Sequence, residues 1–265
     1  MFYIEKQSRF FYNPNLFFAV SAFGLEIRIR YYNMKQTLAD TAYEKLLDMI
    51  YSLKYQSGDR LVEQQLINEL EISRTPVREA IRRLASDGLV DLSTGTFARI
   101  HTFTAKEKQD IGLVRLAIDT TVAPLIVLNA SNRDLQDLMS VAADCQRASD
   151  RNDIMERIRL DFEFHQVLVN LSGNQVFADL QEQLTKKGRL IQIQHYSENG
   201  ATFCNLAGHL DILQALNDRN TAACIKAMQD HLRPSYASHG VDPKIWDVAE
   251  TALRTTDVTP FIQLQ

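Results

Sequence analysis

Cysteine is rare in this chain of 265 residues, with three in all, Cys145, Cys204 and Cys224. They are widely spaced, odd in number and free of any CxxC pair. That excludes a disulfide framework and leaves reduced thiols as core filler. Long apolar runs are also missing: no stretch approaches the roughly 20 apolar residues of a membrane-spanning helix, and the longest patch runs from Leu16 to Leu25. Positive charge is not in excess either, since 29 basic and 33 acidic residues give a net charge of -4. The global field therefore does not attract polyanions, and any nucleic-acid contact must come from a local cluster. No repeat or low-complexity stretch is present. What remains is an ordinary chain, 45% hydrophobic and 23% charged, long enough for a small domain joined to a medium one.

The Leu16 to Leu25 patch follows Lys6 and Arg9 in the manner of a signal-peptide core, but Glu5 sits among the basic residues and the cysteine usage points to a cytoplasmic location. Met34 opens "MKQTLADTAYEKLLDMI", which reads as a natural start. Residues 1–33 are accordingly expected to be an extension, either disordered or upstream of that start. Beyond them, Tyr43, Leu46, Leu47, Ile50 and Leu53 recur at helical spacing until Gly58. A second helix fits Glu63 to Leu70. In a third, Thr75 can cap with Pro76 at the first helical position, or Ser73 can cap instead, and the helix ends at Gly88. "LVDL" and "FARI" are β-capable runs around a turn at Gly95. Three helices and a hairpin make a winged helix-turn-helix over 34–101; the plainer alternative is a three-helix unit with a solvated basic face.

The polar stretch "HTFTAKEKQD" marks a joint, placed at 102–109. From there the periodicity is helical in six segments, near 106–129, 131–149, 153–171, 174–196, 203–217 and 219–237. Ser131 with Asp134 resembles a capping box, Asn174 restarts a helix after Gly173, and Pro124 is expected to kink the first segment. The fold class is mainly α: an N-terminal winged helix-turn-helix followed by an all-α antiparallel bundle over 110–238, with a tail at 239–265.

Four arginines gather in "ISRTPVREAIRRLASDGLV". Arg74, Arg78 and Arg82 stand at i, i+4 and i+8 along one side of the third helix, while Val77, Ile81 and Leu84 face the other way. Such a helix fits the major groove, where an arginine can give two hydrogen bonds to a guanine edge. Thr75 and the helix N-terminus suit phosphates. Arg82 and Arg83 either touch phosphate or pair with Glu79 or Asp87 on a solvated face. The segment "LINELEISRTPVREAIRRLASDGLV" strongly resembles the signature of the GntR family of bacterial transcription regulators, over about Tyr43 to Ile100. The resemblance implies that Arg74, Thr75 and Arg78 make the main operator contacts and that the wing at Gly95 enters the adjacent minor groove. Many relatives carry glycine where Phe97 stands.

Further along, "RLDFEFHQVLVNLSGN" places Asp161 and His165 four apart on one helix face, so both could converge on one cation. The ordinary reading is a hydrogen-bonded couple. His209 and His231 open and close "HLDILQALNDRNTAACIKAMQDH", and in antiparallel helices their imidazoles return to one level. One carboxylate and three imidazoles suit a divalent metal, zinc or nickel; the alternative is three unrelated, satisfied histidines. The stretch from about Asp110 to Tyr236 resembles the FCD ligand-binding domain of the FadR-like branch, and six helices point to its VanR-like subgroup. The resemblance implies that Asp161, His165, His209 and His231 hold the metal, and that Arg115 forks onto an effector carboxylate. The alternative for Arg115 is a salt bridge to Asp119. Relatives often have an acidic residue where Gly208 stands. Arg189 and His195 are further candidates for lining the effector cavity, while His101 and His239 are expected to be exposed.

The expected function is a homodimeric, ligand-responsive regulator, a repressor in the family's commoner habit, that binds palindromic double-stranded operator DNA and senses a small carboxylate or sugar acid. No membrane partner is expected. Two alternatives stand beside it. One keeps the DNA reader with a metal-free dimerisation domain. The other is a metal-dependent hydrolase, disfavoured because no separate general base is evident.

Overall fold

A computed structural model describes residues 36–93, 97–200 and 206–237. Gly95, Cys204, His239, the 1–33 extension and the tail lie outside these residues. The first domain comprises α1 (Leu38–Tyr51), β1 (Arg60–Leu61), α2 (Glu63–Leu70), α3 (Arg74–Ser86), β2 (Val90–Leu92) and β3 (Ala98–Ile100). The sheet has the order β1-β3-β2, antiparallel throughout, with Arg60 opposite Arg99 and Val90 opposite Ile100. β1 was not apparent from periodicity, because two residues cannot display an alternation.

The start of α3 settles the choice of cap. Ser73 takes the N-cap position with extended backbone, so Thr75 and Pro76 fall inside the first turn, where a missing N–H breaks no helical bond. The helix closes with Gly88 at φ +72° and Leu89 N–H returning to Leu84 O at 2.9 Å, a left-handed stop that favours glycine.

Among the described residues the second domain has six helices: α4 (Ala105–Asn129), α5 (Asn132–Asp150), α6 (Ile154–Asn170), α7 (Gln175–Asn199), α8 (Leu206–Asn217) and α9 (Thr221–Ala237). The joint is shorter than the polar composition suggests. Thr104 and Glu107 form a capping box, so residues 105–109 already belong to α4. The Ser131 and Asp134 box forms at the start of α5, and Asn174 caps α7 by accepting from Phe177 N–H. α4 continues through Pro124.

By length and composition α4 is apolar enough to cross a membrane, which the count of consecutive apolar residues overlooked, because Arg115 and Asp119 interrupt the run. Those two side chains are buried, and α4 packs on α6, α7 and α9, as a core helix does. One apolar cluster joins Leu46, Ile50, Val77 and Leu84 of the first domain to Ile158, Phe162, Leu190 and Ile193 of the bundle; a second fills the bundle's other end around Val122, Phe164, Leu168 and Ile212. Cys145 and Cys224 are buried. The two domains thus share a core.

Candidate functional site

On α3, Arg74 and Arg78 point outward, their side chains 61% and 56% exposed, and both converge on Glu63 at the start of α2, at 3.1 and 2.6 Å. Arg74 also donates to Gln64 Oε1 at 3.3 Å. Pairs this exposed are worth about 1 kcal/mol or less, so Glu63 positions the guanidinium groups without holding them against a stronger anion. Thr75 and Arg82 are exposed beside them. Arg83 leaves this face: it pairs with Asp40 on α1 at 2.6 Å and lies over the Tyr43 ring, rather than meeting Glu79 or Asp87. Near the wing, Phe97 is flanked by Arg60 and Arg99, whose guanidinium carbons lie 3.9 and 5.1 Å from the ring centre.

In the bundle, Asp161 and His165 on α6 meet His209 from α8 and His231 from α9. All four are buried, and one ligating atom from each lies within 4.8 Å of the others. His165 Nε2 is 3.0 Å from His231 Nε2, and His209 Nε2 is 3.1 Å from Asp161 Oδ1, close but not aligned as a hydrogen bond. His165 Nδ1 lies 2.7 Å from Asp119 Oδ2. A proton held there for Asp119 turns the Nε2 lone pair toward the cluster. Asp119 directs its other oxygen to Gln181 Nε2 at 3.3 Å. The Phe164 ring stacks on His209 at 4.0 Å.

Burial alone would raise the Asp161 carboxyl, but His209, His165 and His231 outweigh it and hold the group well below the usual carboxylate range. Burial lowers His209, yet the Asp161 carboxylate and Cys145 reverse the sign and push it up to about 9. His231 is pushed well below 6.5 by burial and by its imidazole neighbours. The donor set fits a divalent cation: one anionic oxygen, three imidazoles, and a buried His231 Nδ1 with no partner. These four residues would hold such an ion, which when bound supplies open positions for an anion.

Gly208 is explained by the same geometry. A Cβ there would stand 2.4 Å from His231 Nδ1, so α8 and α9 approach only because position 208 has no side chain. Arg115 is buried with its guanidinium carbon 4.4 Å above the Phe162 ring, next in sequence to Asp161. Asp119, the alternative partner for Arg115, lies against His165 instead.

Arg189 and His195 are not brought into this cluster. Arg189 lies over Tyr51 of α1 at 4.1 Å, and His195 is half-buried near Lys108 and Glu198. His101 is not exposed as expected: it sits at the domain joint between Asp91 and Glu107, and its carbonyl accepts from Gln194 at 2.6 Å. A groove of about 500 Å³ lies elsewhere, lined by Asp87 at the end of α3 and by Lys186 and Lys187 on α7. Sequence reading missed Glu63, Asp119 and Gln181. Asp119 alone carried a signal, a carboxylate on an otherwise apolar helix.

A winged helix with an exposed arginine face, sharing a core with a bundle built round a carboxylate and imidazole cluster, defines a DNA-binding regulator with a sensor domain. Comparisons agree. The family model described as "Bacterial regulatory proteins, gntR family" matches residues 38–98, and "FCD domain" matches residues 110–234. The chain is 27% identical over 190 residues to the HTH-type transcriptional regulator YdhC of Bacillus subtilis (strain 168), covering 71% of this chain and 85% of that one. It is 26% identical over 176 residues to the HTH-type transcriptional repressor RspR of Escherichia coli (strain K12), covering 66% and 77%. Among solved structures, E. coli McbR/YncC shares the fold with a TM-score of 0.67 at 19% identity, over 77% of this chain and 97% of that one. The chain belongs to the GntR family of bacterial regulatory proteins and carries an FCD domain; it is a transcription regulator and not an enzyme.

Proposed function

We propose that the protein is a cytoplasmic, homodimeric repressor that releases a palindromic operator when its bundle binds a small carboxylate or sugar acid. Arg74, Thr75 and Arg78 carry the base and phosphate contacts, and Gly95 leads the wing into the minor groove. Asp161, His165, His209 and His231 hold a divalent ion, zinc or nickel, and Arg115 receives the effector carboxylate. The observation that carries the reading is the convergence of four buried ligating side chains from three helices on one point, in a chain whose other domain is a DNA reader.

Domain contacts supply a route between the two. Lys186 on α7 reaches Asp87, the residue that ends α3, at 3.3 Å, and Tyr43 donates to the same carboxylate at 2.5 Å. Tyr51 donates to Lys186 O at 2.9 Å. An effector that binds one arrangement of α6 and α7 better than another shifts the population of dimers able to read DNA; equal affinity for both would shift nothing. In this arrangement Arg189 serves the domain contact more directly than the effector.

The test is operator binding at fixed salt together with elemental analysis. Retention of sequence-specific affinity within a few-fold in Arg78→Ala would remove the recognition-helix assignment. Equal metal content in wild type and Asp161→Ala would remove the four-ligand proposal and favour a metal-free dimerisation domain.

A further inference from the structure

The outward face of the small sheet carries two arginines to which the proposed function gives no role. Arg60 on β1 and Arg99 on β3 are direct partners across the antiparallel pair, and both are exposed. Side chains at paired positions project to one face of a sheet, so like charges there repel. Arg99 donates to Gly58 O at 2.9 Å, and both guanidinium groups lie over the Phe97 ring; neither has an ion-pair partner among the described residues. The acids nearest to hand are engaged elsewhere. Asp59 accepts from Gln56 N–H at 2.8 Å, and Asp91, which stands opposite Arg99 on β2, lies 2.9 Å from His101 Nδ1.

Phe97 keeps the two charges together. Its carbonyl accepts from Ser93 N–H at 3.0 Å, which fixes it at the base of the hairpin. The guanidinium carbons of Arg60 and Arg99 are 3.9 and 5.1 Å from the ring centre, so they stand no more than about 9 Å apart. An aromatic contact of this kind orients a guanidinium without neutralising it. What the pair lacks is an anion that both forks can share.

Chemistry and position together select that anion. A phosphodiester presents two charged oxygens on one centre, one for each fork. A guanine edge, by contrast, is read by a single arginine through two parallel hydrogen bonds. Arg60 lies three residues before Glu63, on which Arg74 and Arg78 converge, and three residues of extended chain reach at most about 11 Å. A duplex lying against the outer face of α3 therefore brings its backbone within reach of this sheet.

We propose that Arg60 and Arg99, held together by Phe97, clamp a single DNA backbone phosphate and so add affinity that does not depend on sequence. The clamp rests on the reading of α3 as the DNA-facing helix and extends the contact surface beyond it.

The test is binding of the full chain over a series of salt concentrations to two duplexes, one of mixed sequence and one selected by the wild-type protein from a random library. Arg60→Gln and Arg99→Gln should each weaken both duplexes by the same factor, about tenfold. The double variant should flatten the slope of log K against log salt by about 0.9 per protomer, the value for one phosphate. Phe97→Leu, which removes the ring and keeps both charges, should weaken both duplexes about threefold with the slope unchanged. A partly unfolded variant loses active protein without altering the slope, so the slope separates a contact from a fold defect. Loss confined to the selected duplex would make the arginines base readers. A flattening of about 1.8 would give each its own phosphate, and an unchanged slope would take both off the DNA. Each of these results overturns the clamp and leaves α3 as the reading helix. If Arg74→Ala and Arg78→Ala bind both duplexes as wild type does, the reading of α3 falls, and the clamp loses its positional basis with it.

Discussion

The outer face of α3 and the cluster between α6, α8 and α9 both gather charge, under opposite conditions. Arg74 and Arg78 stay in water, and their shared partner Glu63 is itself a quarter exposed. Their ion pairs are weak and exchangeable, as suits the DNA contacts proposed for them. Asp161 and the three histidines are taken out of water, where unpaired charge is heavily destabilising. Each is therefore held by the next, and the set tolerates little change. Under the proposed function the exposed face is released to DNA and the buried cluster is completed by a metal ion.

Substitutions should break this contrast in a definite order. Asp161→Ala is expected to have the largest effect, lowering zinc affinity in a chelator competition by more than the roughly 100-fold that supporting contacts carry. Asp119→Ala, which removes only the support of His165, should lower it about 10- to 100-fold. Arg78→Ala should weaken operator binding by about 1–3 kcal/mol, roughly 5- to 150-fold, without changing metal content. Tyr43→Phe, which removes the bond to Asp87 at the domain contact, should cost about 1 kcal/mol in denaturant unfolding.

Acidity sharpens the contrast further. His209 is raised to about 9, so its contribution to the metal-free fold is complete below 6.5 and is lost as pH rises from 6.5 through 9. His231 is depressed, so stability rises with pH until its unfolded value of 6.5 is passed. The depressed Asp161 contributes above its ordinary value of 3.8 and is lost as pH falls below it. Together these put the greatest stability of the metal-free protein near pH 6.5, measurable by melting scans. Zinc must displace the His209 proton, so its affinity should climb about tenfold per pH unit up to pH 9.

Legibility in the sequence followed the range of the interaction. α2 was readable from Leu66 and Leu70, the six bundle helices from their periodicity and caps, and the Asp161 and His165 pair from its spacing. What was not readable depends on distant partners. Asp119 supports a histidine 46 positions away, and its nearest basic neighbour in sequence, Arg115, suggested a different pairing. Glu63 meets α3 only because α2 and α3 pack at an angle that no local pattern encodes. Arg189, read as a cavity residue, turned toward Tyr51 because the two domains share a core, a fact invisible to either domain's sequence alone. Gly208 looked like a missing acidic group, whereas the His231 ring leaves no room there for a side chain.

Operator affinity of the zinc-loaded full chain, measured at fixed salt with and without a bound sugar acid, tests the link between the two regions most directly. The account predicts a shift of about fivefold or more in wild type and none in Asp161→Ala. An acid that binds wild type yet leaves operator affinity unchanged, or shifts both proteins equally, would contradict it.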